Sequence, residues 1–313
     1  MAWPPAAPFT VAFTLIALSG CVVPPEQGPG PGAIPHDEEI VRPDNSQMTQ
    51  QGFERFGAKD LHDRGLSGRG IRVAVIDTGI DERSNDVSAV AAKSFIQDPS
   101  TQDTTGQGTK VAGVIAAHDN DIGLLGLAPE AELLVARVAT DRGDALYSTV
   151  ADALRWSVSQ AADIVCVPIA FNENDPELAA AVADVIASGA LLFAAAGSAT
   201  PNSREGPLAY PAALPGVVSV GVANRDGYVS EYALVNDAID LFAPGEDIFG
   251  TGLGDILTLG SGVFLATAYG SGLAALVLQD AIENETDTAV DAIVERVQRM
   301  IWNSANEPPM GPH

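Results

Sequence analysis

The chain has 313 residues, 46% of them hydrophobic, and 41 acidic side chains stand against 16 basic ones for a formal net charge of −25. That length and apolar share suffice for one large buried core or two small ones. The charge argues against nucleic acid, and against charge-driven binding to anionic lipid, because both would bring phosphate to an already negative protein; its plainest role is a solubilising surface.

In chain order, the first element is the apolar run "VAFTLIALSG" ending at Gly20, too short to span a bilayer comfortably. Leu18, Ser19, Gly20 and Cys21 resemble a bacterial lipobox, in which the cysteine becomes the lipidated first residue of the mature protein. Residues 1–20 are thus read as a lipoprotein-type signal peptide and Cys21 as the lipidation site. The first twenty residues hold no Lys or Arg, so the usual basic n-region is missing. A true start other than Met1 and an ordinary cleaved signal both remain open as explanations. Residues 21–50, with "PPEQGPGPGAIPHDEE", show neither helical nor strand period and are expected to be a flexible tether.

From residue 51 to about 305 short apolar runs alternate with amphipathic stretches. Residues 71–76, 132–138, 163–169, 191–196 and 216–222 read as strands buried on both faces. Cys166, inside "DIVCVPI", reads as a buried strand residue. Ser148 is expected to cap a helix with Val150, Ala153, Leu154 and Val158 on one face. Leu178, Val182, Val185 and Ile186 form the apolar face of the next helix, with Gly189 suited to its C-terminal end. Residues 306–313 are left as a tail. The alternation predicts an α/β fold with a mainly parallel central sheet between helical layers. In such sheets the functional crevice lies outside the carboxyl ends of the strands.

Three motifs follow those ends: "VAVIDTGID" with Asp77, "TTGQGTK" with Gln107 between two glycines, and "GSGVFLATAYGSG" feeding an apolar helix. Together with "GLAPEAELLVARV", "AAAGSATPNS", "YPAALPGVVSVGVAN" and "FAPGEDI", in this order, they resemble the subtilisin-like serine peptidases, or subtilases. The resemblance implies the three-layer αβα subtilisin-like fold over residues 51–305.

It also implies a triad in the order Asp, His, Ser. Asp77 fills the first place. The family writes Gly-His-Gly-Thr-His where this chain writes "GQGTK", which puts Gln107 at the histidine position and Lys110 at the second histidine. Aligning "ATAYGSG" with the family's Ala-Thr-Pro-His-Val-Ala-Gly matches Ala266, Thr267 and Gly272 and puts Phe264 at the nucleophile position. Ser198 falls where the family has its oxyanion Asn. Pro168-Ile169-Ala170, followed by Phe171, replaces a Ser-Leu-Gly cleft wall, and a proline there removes a backbone donor. A carboxamide cannot act as general base near neutral pH, and a phenyl ring holds no nucleophile.

The alternative is an active endopeptidase using Asp77 with Ser261, which would need a one-turn slip and would lose the match at Gly272. His36, His62 and His313 are badly placed to serve as its base. His118, eleven residues beyond Gln107, would lie roughly 16 Å away along a helix. Asp77 is expected to cap the Thr78–Gly79 turn and to accept a hydrogen bond from the Gln107 amide. Phe264 is expected to fill the space left by the imidazole. Active secreted subtilases commonly carry a folding prodomain, and residues 22–50 are too short and too Pro/Gly-rich to be one. No cofactor is indicated. Family members often bind calcium partly through backbone carbonyls, so calcium stays open, although no acidic cluster has the spacing of a dedicated loop. The expectation is a catalytically inactive subtilase domain, lipid-anchored in the bacterial cell envelope, with a peptide or protein partner. If the lipobox is real, Cys21→Ser abolishes incorporation of labelled acyl chains; label retained by the variant would reject the anchor.

Overall fold

The computed structural model describes residues 33–39, 47–199 and 203–303. The lipobox cysteine, the signal peptide and the 306–313 tail lie outside the described residues. Within the described part the elements run β1 (Ala33–Glu39), β2 (Met48–Thr49), α1 (Ala58–Asp63), β3 (Arg72–Asp77), β4 (Ala91–Ser94), α2 (Gln107–Ala116), β5 (Leu124–Leu125), β6 (Glu132–Arg137), α3 (Tyr147–Ser159) and β7 (Ile164–Val167). They continue with α4 (Pro176–Ala187), β8 (Leu191–Ala195), β9 (Val218–Ala223), β10 (Leu241–Pro244), β11 (Ile248–Thr251), β12 (Leu257–Gly262), α5 (Val263–Glu283) and α6 (Val290–Asn303).

Seven strands form one parallel sheet in the order β10-β9-β8-β7-β3-β6-β4. The five apolar runs read from sequence are β3, β6, β7, β8 and β9, each fully or nearly fully buried. Strand alternation divides the core. Val73 and Val75 of β3 face one apolar layer with α2, α5 and α6, whereas Ala74 and Ile76 face the other with α3 and α4. This is the α/β, three-layer arrangement. Its longest helix, α5, is apolar enough to cross a membrane, yet 94% of its most apolar window is buried inside the protein. It is a core helix, walled by sheet on one side and by α2 and α6 on others.

Two helix ends bear on the sequence reading. α4 closes as expected: Asp175 caps its start by accepting from Glu177 N and Leu178 N, and Gly189 follows its end at φ +86°. α3 does not start at a Ser148 cap. Leu146 is the capping residue, and the helix already includes Tyr147. The Thr149 hydroxyl accepts from Leu146 N at 3.3 Å, and the Tyr147 ring stacks on Phe171 at 4.3 Å. These contacts draw the cap forward by two residues, from Ser148 to Leu146.

The stretch expected to be structureless also contains a strand. β1 pairs antiparallel with β12, with Ala33 opposite Gly262 and Ile34 opposite Ser261, then Glu38 opposite Leu259 after a register shift. Pro35 falls in the shifted stretch, where its missing N–H costs no ladder bond. No side-chain periodicity announces such a strand, because main-chain pairing with the edge of β12 makes it. β1, β12 and β11 form a separate three-stranded sheet, and β12 runs straight into α5.

The chain reverses direction around β3: β4 lies at the far edge, β6 returns beside β3, and β7 takes its other side. Asp77 ends β3 at this switch point, where α/β sheets open their crevice. α2 comes in so close that a Cβ on Gly108 would lie 2.2 Å from the Gly79 carbonyl oxygen. Gly108→Ala is therefore expected to cost about 1–3 kcal/mol of folding stability through overpacking against rigid backbone, read as a lower urea midpoint at unchanged slope.

Candidate functional site

The turn after β3 and the start of α2 are built around one buried carboxylate. Asp103 accepts through Oδ1 from the Thr78 hydroxyl (3.0 Å), Thr105 N (2.9 Å), the Thr105 hydroxyl (3.0 Å) and Gly106 N (2.9 Å). Through Oδ2 it accepts from Thr109 N (2.9 Å) and the Thr109 hydroxyl (2.7 Å). Burial by itself would raise its pKa, but the donations from Thr109, Gly106 and Thr105 outweigh it and hold the carboxyl below the usual range. Asp103 is thus an ionised hub. Gly106, at φ +85°, allows the tight turn into α2, and Gly108 N donates to the Thr78 hydroxyl at 2.9 Å. Gln107 is thereby fixed as the first residue of α2.

The Gln107 side chain donates from Nε2 to Oδ1 of Asp77 at 3.0 Å, and Thr78 N donates to the same oxygen at 2.7 Å. Asp77 therefore caps its turn and receives the Gln107 amide, as read from sequence. Its other oxygen, Oδ2, is buried without a hydrogen-bond partner. Asp77 is fully buried, and this burial, reinforced by the negative charge of Asp103, pushes its pKa up to about 7 despite the two donations. The pair differs from a working triad in one decisive way. A triad carboxylate is held ionised by the imidazole it orients, whereas a neutral amide offers no such charge.

The other positions have their own surroundings. Phe264 is the second residue of α5, half-buried and packed against the larger core cluster. Ser198 follows β8 and forms an isolated bridge with Ala233. Lys110 is buried on α2, and its stem passes Gly250 of β11 so closely that a Cβ there would sit 2.1 Å from Cγ. Ser261 lies on β12, not on the helix, and its hydroxyl accepts from Asp247 N at 2.9 Å. The Ser271 hydroxyl is spent on the carbonyl of Thr267. His62 Nε2 meets the carbonyl of Leu127, and His118 Nε2 meets the Ser88 hydroxyl, so neither of these imidazoles bonds Asp77. Cys166 is buried, with its thiol pushed up to about 12 by burial, and is not a nucleophile.

Three features escape the motif reading. The Asp103 hub is signalled only by an Asp ahead of "TTGQ". The Tyr147–Phe171 stack joins residues far apart in the chain, and Phe171 is also tied to Tyr210 by two main-chain bonds of 2.8 Å. On this β7 side, then, an aromatic pair stands beside Pro168. Third, the amide of Gln47 donates to the carbonyls of His118 (2.5 Å) and Leu124 (3.2 Å). Those converging oxygens are of the hard type that calcium takes. Among the described residues, no group of three or more His, Cys, Asp and Glu could hold a metal.

The family described as the subtilase family matches residues 68–311 of the chain. The chain belongs to the subtilase family. This subtilase is 37% identical over 220 residues to the intracellular serine protease of Paenibacillus polymyxa, an alignment covering 68% of each protein. It is 34% identical over 255 residues to the alkaline protease of Alkalihalobacillus alcalophilus, covering 81% of this chain and 65% of that protein. With subtilisin NAT of Bacillus subtilis subsp. natto it shares 31% over 244 residues, covering 77% of this chain and 64% of that protein. The subtilase thus spans about two thirds of the length of these relatives.

The raised Asp77 pKa carries a stability consequence. The unfolded chain gives up this proton near pH 4, whereas the fold gives it up only near pH 7. Asp77 thus loses folding stability as pH rises between those values, and the loss levels off above them. Relative to the parent, Asp77→Asn should gain on the order of 4 kcal/mol of unfolding free energy between pH 4 and pH 8, measured by urea titration across that range. A difference that stays flat with pH would contradict the assignment.

Proposed function

We propose that this subtilase is catalytically inactive and serves, on a membrane-anchored envelope lipoprotein, as a binding or scaffold module for a peptide or protein partner. The observation that carries the reading is the 3.0 Å bond from the Gln107 amide to Asp77. The place of the general base holds a group that takes up no proton near neutrality. Phe264, at the start of α5, adds a ring where the resemblance requires a hydroxyl. Loss of the serine or histidine of a triad costs about a millionfold in turnover, a magnitude measured in a subtilase itself.

Support for peptide binding comes from β12. This strand leads directly to the Phe264 position and carries residues 33–39 by main-chain pairing. It can therefore hold an extended segment in the manner of strand addition. The opposite wall is less suited to a second strand, because Pro168 lacks a donor and Phe171 is tied to Tyr147 and Tyr210. Because β11 holds the other edge of β12, a ligand strand is expected to bind there by taking the place of residues 33–39. The membrane anchor rests on Leu18 to Cys21 alone.

The rival, an endopeptidase working through Asp77 and Ser261, makes the opposite prediction for a serine-directed probe. A fluorophosphonate should fail to label the purified chain, and casein incubated with it should remain intact to the same extent for the parent and for Ser261→Ala. Stoichiometric labelling of any serine, or cleavage lost in the Ser261→Ala variant, would establish the rival.

A further inference from the structure

Asp77 is a buried titratable group with no catalytic use in this chain, and its surroundings make its proton consequential. Thr78 N and Gln107 Nε2 both point donors at Oδ1, and Oδ2 has none. A proton bound to Oδ2 would be a buried donor without an acceptor. A proton bound to Oδ1 would confront the Nε2–H of Gln107. One rearrangement leaves neither donor unmet: the Gln107 amide turns end for end, and its Oε1 accepts from the new Oδ1–H. A Gln side chain reverses its hydrogen-bonding sense by such a turn without moving its backbone. Leaving a buried donor unpaired is costly enough to enforce it.

Few other groups compete for this proton. The Asp103 carboxylate lies close enough to repel the Asp77 charge, but it is itself ionised and fully bonded. The buried Cys166 thiol of β7 stays protonated, because burial pushes its pKa up to about 12. On β6 the register neighbour of Asp77 is Arg137, whose guanidinium is committed to Asp98, the Ser100 carbonyl and Asp141. Lys110, one turn along α2 from Gln107, directs its stem to Gly250 of β11. Neither His62 nor His118 bonds the carboxylate. Asp77 and Gln107 therefore form a nearly isolated two-residue unit, of which Gln107 alone is partly exposed.

We propose that Asp77 and Gln107 form a proton-operated latch, in which protonation of the buried carboxylate reverses the Gln107 amide and changes what the crevice offers at that point from acceptor to donor. The balance is simple. One proton is taken from solvent onto Oδ1, the Nε2–H···Oδ1 bond is lost, and an Oδ1–H···Oε1 bond replaces it. With the carboxylate ionised, Oε1 is free to face the crevice and accept. With it protonated, Nε2 is free to face the crevice and donate. The substitution of glutamine for a titrating side chain thus leaves the acid–base event at the site and moves it to the aspartate, where it controls geometry in place of catalysis. This step concerns the protein by itself and stands or falls separately from the peptide-binding reading.

The test is a pH titration of the full mature chain, labelled with ¹⁵N in glutamine side chains, with Gln107 assigned by its disappearance in Gln107→Leu. The Gln107 Nε2 protons should shift between pH 5.5 and 8.5 with a single midpoint near neutrality, and in Asp77→Asn they should stay put. A second measurement follows the Asp77 carboxyl carbon, whose midpoint should coincide with that of the Gln107 Nε2 protons. Those protons should also exchange with water faster below the midpoint, where the reversed amide presents them to the crevice, than above it. Gln107 resonances that remain flat across the range in the folded parent, or that still titrate in Asp77→Asn, would overturn the latch. Nε2 protons whose exchange with water is the same on both sides of the Asp77 midpoint would overturn it as well. Should Asp77→Asn fail to fold, the exchange measurement on the parent decides alone.

Discussion

The close approach of α2 to the end of β3 is the constraint on which the rest of the site depends. Two segments of backbone meet there at a distance that admits no side chain on Gly108, and the contact is locked by the buried Asp103 carboxylate. A buried charge is costly unless its lone pairs are taken. Here six donations from Thr78, Thr105, Gly106 and Thr109 take them. These donors come from both sides of the junction, so Asp103 can be satisfied only when the turn and the helix are correctly docked. This couples folding of the switch point to the placement of residue 107.

The scaffold that would aim an imidazole at Asp77 is therefore intact and aims an amide there instead. The hub also gives Asp77 a structural role at this turn. Its carboxylate still caps the Thr78 turn, and its removal from water is a consequence of the docking. What the imidazole would contribute is a positive charge beside the carboxylate. Without it, burial and the neighbouring Asp103 charge are opposed only by neutral donors on Thr78 and Gln107, and the proton is held to about pH 7. Phe264 follows the same logic. A ring at the start of α5 packs on the core cluster, a more stable occupant of an apolar recess than an unused hydroxyl.

The main-chain pairing around the sheet is uneven. The edge of β12 makes main-chain pairs with residues 33–39. After β7, Pro168 has no N–H to donate, and Phe171 stacks on Tyr147 while its main chain is bonded to Tyr210.

The sequence by itself determined the fold and the register of the site. Five apolar runs of strand length, glycines placed before helices and several motifs in order were enough, because strand burial and turn chemistry are local properties of residue type. They pointed to Asp77, Gln107 and Phe264, and the observed contact between the first two followed from their chemistry. Tertiary structure alone decided the rest. Ala33–Glu39 carries no strand pattern and is extended only because β12 offers an unpaired edge. The stacking of Tyr147 on Phe171, which shifted the start of α3, joins residues on separate elements. The protonation of Asp77 depends on burial and on the distance to Asp103, quantities that exist only once the chain has folded.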